Sequence, residues 1–167
     1  MKSVMAELRQ RGLVPERRVE ILAVALLRGD YVNLRNILEH SRWKLRRALT
    51  CRRALRFLRW HPVGVVVSDP MLPDGSWKDL LAALAALPVP PNLIVASRLA
   101  DEQLWAEVLN LGGYDVLLTP FEPEELFRVC SAAWRDWSGR VEAAARFSGR
   151  QPANAAGMPV PIAHAAP

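Results

Sequence analysis

Cysteine and histidine are scarce in this chain of 167 residues. Cys51 and Cys130 are its two cysteines, and His40, His61 and His164 its three histidines. Two distant thiols give neither a disulfide framework nor a metal-ligand spacing. Three scattered imidazoles indicate no zinc site and no catalytic triad. Cys130 lies in an apolar helical pattern and reads as a small core residue. Cys51 reads as able to reach solvent, with nothing nearby that marks it as catalytic. No apolar run approaches the roughly 20 residues a bilayer span needs; Ile21 to Leu27 is far too short. The first residues carry Glu7, Glu16 and Glu20 among their cations and have no apolar h-region, so no secretory signal is expected. There is no internal repeat. A cytoplasmic protein with no membrane contact and no enzymatic activity of its own is expected, because no nucleophile–base pair or metal cluster converges.

What is present is a globular composition, 51% hydrophobic, long enough for one domain with a proper core. Residues 1–18 read as an N-terminal arm or short helix, broken near Leu13-Val-Pro15. Residues 19–147 carry the foldable pattern. Residues 148–167 are rich in Ala, Pro and Gly and read as a disordered tail. The net charge is +5, and its distribution is uneven. Arg42, Lys44, Arg46, Arg47, Arg52, Arg53, Arg56 and Arg59 follow one another with no acid among them. Such a block can bind phosphates or an acidic surface. The simpler reading is the solvated face of a strand and a helix, and nucleic acid is not the expected partner.

Strand and helix patterns alternate. Val19 to Ala25 is a buried strand. Asp30 reads as the N-cap of a helix with Tyr31, Leu34, Ile37 and Leu38 inward. Trp43 to Leu49 alternates as an edge strand guarded by its cations. Thr50 caps a helix over Cys51 to Trp60 with Ala54, Leu55 and Leu58 inward. Val63 to Ser68 is a central strand closed by Asp69. The turn at Asp74-Gly75 leads to Ser76, the cap of a helix with Leu80, Leu81, Leu84 and Leu87 on one face; Pro88, Pro90 and Pro91 end it. Leu93 to Ala96 is a strand, and Asp101 to Leu111 a helix closed by Gly112-Gly113. Asp115 to Leu118 is the last strand. Pro123 opens a final helix burying Leu126, Val129, Cys130 and Ala133 and running to about Arg146. Five strand–helix units predict a three-layer α/β sandwich.

Two segments are specific: Asp69-Pro-Met-Leu-Pro-Asp-Gly75 and Leu111-Gly-Gly-Tyr-Asp-Val-Leu-Leu-Thr-Pro-Phe121. At this separation and in this alternation the chain, from about Glu20 to Trp137, resembles the receiver domains of response regulators. The resemblance implies a flavodoxin-like (βα)5 fold with parallel sheet order 2-1-3-4-5. It implies that Asp69 is the phosphoacceptor position and Ser97 the hydroxyl that contacts a phosphoryl group. It also implies that Thr119-Pro120 holds a cis bond. Four positions depart from the family. Ala25 and Leu26 stand where two adjacent acids hold Mg²⁺, Thr119 stands for a lysine, and Val116 replaces an aromatic switch residue, with Tyr114 two positions earlier.

Phosphoryl transfer works by positioning and by neutralising charge on oxygens, so these departures imply weak or absent Mg²⁺ binding and slow or no phosphorylation. The chain then reads as a degenerate pseudo-receiver without an output domain. It would act in two-component signalling through contact with a histidine kinase, a regulator or a second copy. Trp105, Tyr114 and Phe127 are the candidate contact residues, since large aromatics are enriched in interfaces. Trp134 and Trp137 lie near them, with Trp134 also readable as a cover for the core. Two alternatives stay open. One is a phosphorylatable receiver with its acids supplied by Asp30 or Asp74. The other is a nucleic-acid or phospholigand binder through Arg42 to Arg59.

Overall fold

The computed structural model describes residues 19–148, so the expected arm and tail lie outside the described residues. Five parallel strands form one sheet: β1 (Glu20–Val24), β2 (Lys44–Ala48), β3 (Val65–Ser68), β6 (Asn92–Ser97) and β7 (Asp115–Leu118), in the order β2-β1-β3-β6-β7. Counted among these five, that is the expected 2-1-3-4-5 of a flavodoxin-like fold. The helices between them are α1 (Arg28–Leu38), α2 (Cys51–Leu58), α3 (Trp77–Leu84), α4 (Glu102–Leu111) and α5 (Pro123–Ser148). A two-stranded antiparallel ribbon, β4 (Met71–Leu72) with β5 (Gly75–Ser76), lies between β3 and α3. The sequence pattern predicts only a turn at Asp74-Gly75.

Successive side chains on a strand point to opposite sheet faces. Ile21, Ala23, Val65, Val67, Ile94 and Ala96 therefore enter one core, closed by α1 and α5. Leu22, Val24, Val66, Leu93 and Val95 enter the other, closed by α2, α3 and α4. The inner strands have no polar face, as parallel strands covered on both sides require. Cys51, read as able to reach solvent, is buried in the second core, and Cys130 in the first.

Helix starts follow the local chemistry. The Thr50 hydroxyl accepts from the Arg53 N–H at 3.1 Å. The Asp79 carboxylate accepts from the N–H and the hydroxyl of Ser76 at 2.7 and 2.8 Å. Asp101, expected inside α4, is instead its N-cap and accepts from the Leu104 N–H at 2.8 Å. Gly112 ends that helix at φ 97°, a left-handed conformation that glycine takes without a Cβ clash. Gly64 permits a close approach: a Cβ there would lie 2.5 Å from the Trp137 ring. The α3 helix stops at Leu84 rather than reaching Leu87, which is only partly buried against the second core.

Candidate functional site

The carboxyl ends of β1, β3, β6 and β7 converge on a crevice of about 330 Å³ that contains both Asp69 and Asp30. Its geometry begins with β1. After Val24 the chain turns through Ala25, at φ 54°, whose N–H bonds the Ala48 carbonyl at 2.8 Å. A left-handed alanine costs on the order of 1 kcal/mol. The turn sends Leu26 into the first core and leaves Leu27 outside. Neither Ala25 nor Leu26 brings a side-chain oxygen to the crevice. The Leu27 N–H instead donates to Asp69 Oδ2 at 3.1 Å.

Asp69 follows directly on β3, its N–H bonded to the Val24 carbonyl at 3.3 Å. Burial pushes its carboxyl up to about 6; the Leu27 N–H opposes this, the Asp30 charge adds to it and the Arg98 guanidinium opposes it. Asp30 is not the expected N-cap. The α1 helix starts at Arg28 with Leu27 in the capping position, which places Asp30 in the first turn and buries it. Its Oδ1 lies 3.3 Å from Arg98 Nη2. Ser97 closes β6, and its Oγ accepts from the Leu99 N–H at 3.1 Å. Thr119, 5% exposed, lines the same crevice. Its Oγ1 has no hydrogen-bond partner among the described residues. The Thr119-Pro120 bond is cis, as the resemblance implied.

Hard divalent cations require several oxygen ligands. Here the charged oxygens are those of Asp69 and Asp30, the second already facing a guanidinium. Among the described residues no group of three or more His, Cys, Asp or Glu side chains is placed to hold a metal ion.

Other expected positions lie elsewhere. Asp74 does not reach the crevice. Its two carboxylate oxygens accept from the N–H groups of Cys51 and Arg52 at 2.8 and 3.0 Å, which caps α2 and holds its carboxyl below the usual range. A supply of acid from Asp74 to Asp69 is thereby corrected. Phe127 is also corrected. It is 0% exposed and packs edge-to-face on Trp43, ring centroids 4.9 Å apart. It belongs to the inward stripe Leu126, Phe127, Cys130 and Ala133 and offers no contact surface.

Tyr114 is half-buried against the first core, its hydroxyl pushed up mainly by that burial. Val116 is buried in the second core. Trp105 is 49% exposed and donates from Nε1 to Asp115 at 3.0 Å. Leu109, Leu111 and Leu118, on the same α4–β7 elements, are exposed large apolar side chains as well. The eight cations from Arg42 to Arg59 are all exposed, on β2 and its flanks and on α2. Arg46 pairs with Glu20 at 2.7 Å, and Arg47 lies over the Tyr31 ring.

The sequence reading missed Arg98. Its only signal was its place directly after Ser97, at the end of a strand whose last residue faces the crevice. It also missed the Leu27 N–H, which no residue type announces.

No helix among the described residues is long and apolar enough to cross a membrane. A family model described as the response regulator receiver domain matches residues 31–131. The two-component response regulator ORR5 of Oryza sativa subsp. japonica is 27% identical over 135 residues, which is 78% of this chain and 100% of that protein. The signal receiver domain of an HD domain-containing protein from Pseudomonas fluorescens Pf-5 superposes with a TM-score of 0.67 at 26% identity, over 77% of this chain and 96% of that one. The chemotaxis response regulator CheY4 of Vibrio cholerae gives 0.62 at 18% identity, over 70% and 99%, a likeness of fold alone. The matched span contains Asp69 directly after β3, Ser97 at the end of β6 and the cis Thr119-Pro120 step, so the chain belongs to the response regulator receiver domain family.

Proposed function

We propose that this receiver domain works in two-component signalling by protein contact, with phosphorylation of Asp69 slow or absent and no catalytic activity of its own. The observation that carries this reading is the charge inventory of the crevice. Asp69 and Asp30 face one guanidinium, with Ala25, Leu26 and Thr119 where the family has two acids and a lysine. A phosphoryl group entering beside Asp69 would meet two carboxylates and no free cation from these elements. One missing preorganised charge stabiliser costs about 3–4 kcal/mol in a transition state, and here more than one is missing. The oxygen donors present, Asp69 and a guanidinium-paired Asp30, do not fit Mg²⁺.

The contact surface is the α4–β7 face, where Trp105, Leu109, Leu111 and Leu118 are each exposed. Side chains of this kind suit a buried interface core, and the partner is a histidine kinase, a regulator or a second copy. The test is incubation with acetyl phosphate or beryllofluoride and Mg²⁺, followed by amide shifts around Asp69. Little change is expected. Large Mg²⁺-dependent shifts that disappear in Asp69→Asn would overturn the reading. They would favour the second one, in which Asp30, brought into the crevice beside Asp69, completes a phosphorylatable site. Metal titration of Asp30→Asn then separates the two.

A further inference from the structure

We propose that the Asp69 crevice receives the ammonium group of a lysine presented by a partner protein, with apolar residues beside that lysine seated on the rim. This rests on the reading of the domain as a contact module and names the chemistry of one contact.

Three independent features point the same way. The first is charge. The charged groups lining the crevice are Asp30, Asp69 and Arg98, and Arg98 lies against Asp30. With both acids ionised the crevice carries one net negative charge, which opposes an anion and favours a cation. The second is Thr119. The residue is more than nine-tenths buried and lines the crevice, and its Oγ1 has no hydrogen-bond partner among the described residues. Buried polar groups are ordinarily hydrogen-bonded, so this oxygen is suited to a donor that comes from outside the fold. Asp69, Ser97 and Thr119 together offer acceptors to the three N–H bonds of an ammonium.

The third feature is the rim. Leu27, Met71 and Leu99 are 56%, 74% and 80% exposed, and all three line this crevice. An apolar mouth over a polar floor does not suit a hydrated metal ion, which keeps its waters. It suits an amphipathic side chain, whose methylene stem lies on apolar surface while its charged head reaches oxygens. A lysine flanked by leucines matches both parts.

The test is an amide NMR titration of the full chain with acetyl-Leu-Lys-Leu-amide. The control is the same peptide with norleucine for lysine, which keeps the stem and removes the charge. Shifts are expected at Leu27, Asp69, Leu99 and Thr119, with affinity at least about tenfold weaker for the norleucine peptide. Asp69→Asn and the isosteric Thr119→Val, each checked for an otherwise superimposable spectrum, are each expected to weaken the lysine peptide by about tenfold. Equal shifts with both peptides, shifts confined to other surfaces, or no effect of Thr119→Val would overturn the proposal. So would movement of these amides by inorganic phosphate alone. A parallel titration with beryllofluoride and Mg²⁺ keeps the two readings apart. Strong shifts there defeat the contact-module reading. Silence from both titrations defeats the lysine site alone.

Discussion

Replacing Asp69 by Asn should stabilise the fold at neutral pH and do so much less in acid. Asn keeps an oxygen to accept the Leu27 N–H bond seen at 3.1 Å and removes the charge. The folded carboxyl is pushed from 3.8 up to about 6, chiefly by burial. A carboxyl whose folded pKa lies above its unfolded value binds protons more tightly in the folded state. Stability therefore falls as pH rises through the window from about 4 to about 6, and the penalty is complete above it. At about 1.4 kcal/mol per factor of ten in the proton equilibrium, the full penalty is about 3 kcal/mol. Solvent screening of a half-buried group reduces this to about 1–2 kcal/mol. The assay is urea denaturation of both proteins at about pH 7.5 and about pH 4, comparing the difference between them at each pH so that other titrating groups cancel. The variant should lead by about 1–2 kcal/mol at the higher pH and by much less at the lower. An equal lead at both pH values, or a less stable variant at the higher one, would refute the reasoning.

The corrected placement of Phe127 has a direct consequence. Phe127→Ala should cost about 3–5 kcal/mol in chemical denaturation, as for a ring removed from a core. Trp105→Ala, on the exposed α4–β7 face, should cost less than about 1 kcal/mol while weakening any self-association seen by sedimentation. Gly64→Ala drives a Cβ to within 2.5 Å of the Trp137 ring; a loss of about 1–3 kcal/mol in the urea midpoint is expected from overpacking. Thr50→Ala removes the acceptor for the Arg53 N–H and should lower stability by about 1 kcal/mol in a thermal melt.

The sheet was legible because parallel strands buried on both faces leave runs such as Val65-Val-Val67 and Leu93-Ile-Val95, which few other structures require. Thr50 and Ser76 were legible because each precedes an amphipathic stretch with the right first turn. Asp30 misled because its residue type favours a cap. The cap position had already been taken by Leu27, whose N–H was needed at Asp69. Asp74 was legible as turn chemistry, but the recipient of its bonds, the start of α2 more than twenty residues earlier, is a tertiary fact. Phe127 misled because its neighbours on either side include exposed charges. Only the 3.6-residue period of the whole helix places it inward. Arg98 was legible only as the residue that follows Ser97. Its role depends on where α1 turns its first carboxylate relative to the end of β6.

The departures from the family pattern are coupled through packing as well as through charge. Leu26 is a member of the first core, among Leu34, Phe121 and Leu126. An acid at that position in this backbone would put a carboxylate into an apolar cluster, where ionisation is strongly opposed. Ala25 holds the left-handed turn that aims Leu26 inward and presents the next N–H to Asp69. The apolar pair thus converts the end of β1 from a place that could carry ligands into a place that completes the core. Asp69 accepts the backbone N–H of Leu27 there. The same turn leaves Leu27 exposed beside Asp69. Thr119, directly after β7, is a separate departure: it lines the same crevice, and its Oγ1 has no partner among the described residues. A fold whose inner strands need no charge to assemble can tolerate such an apolar end to β1.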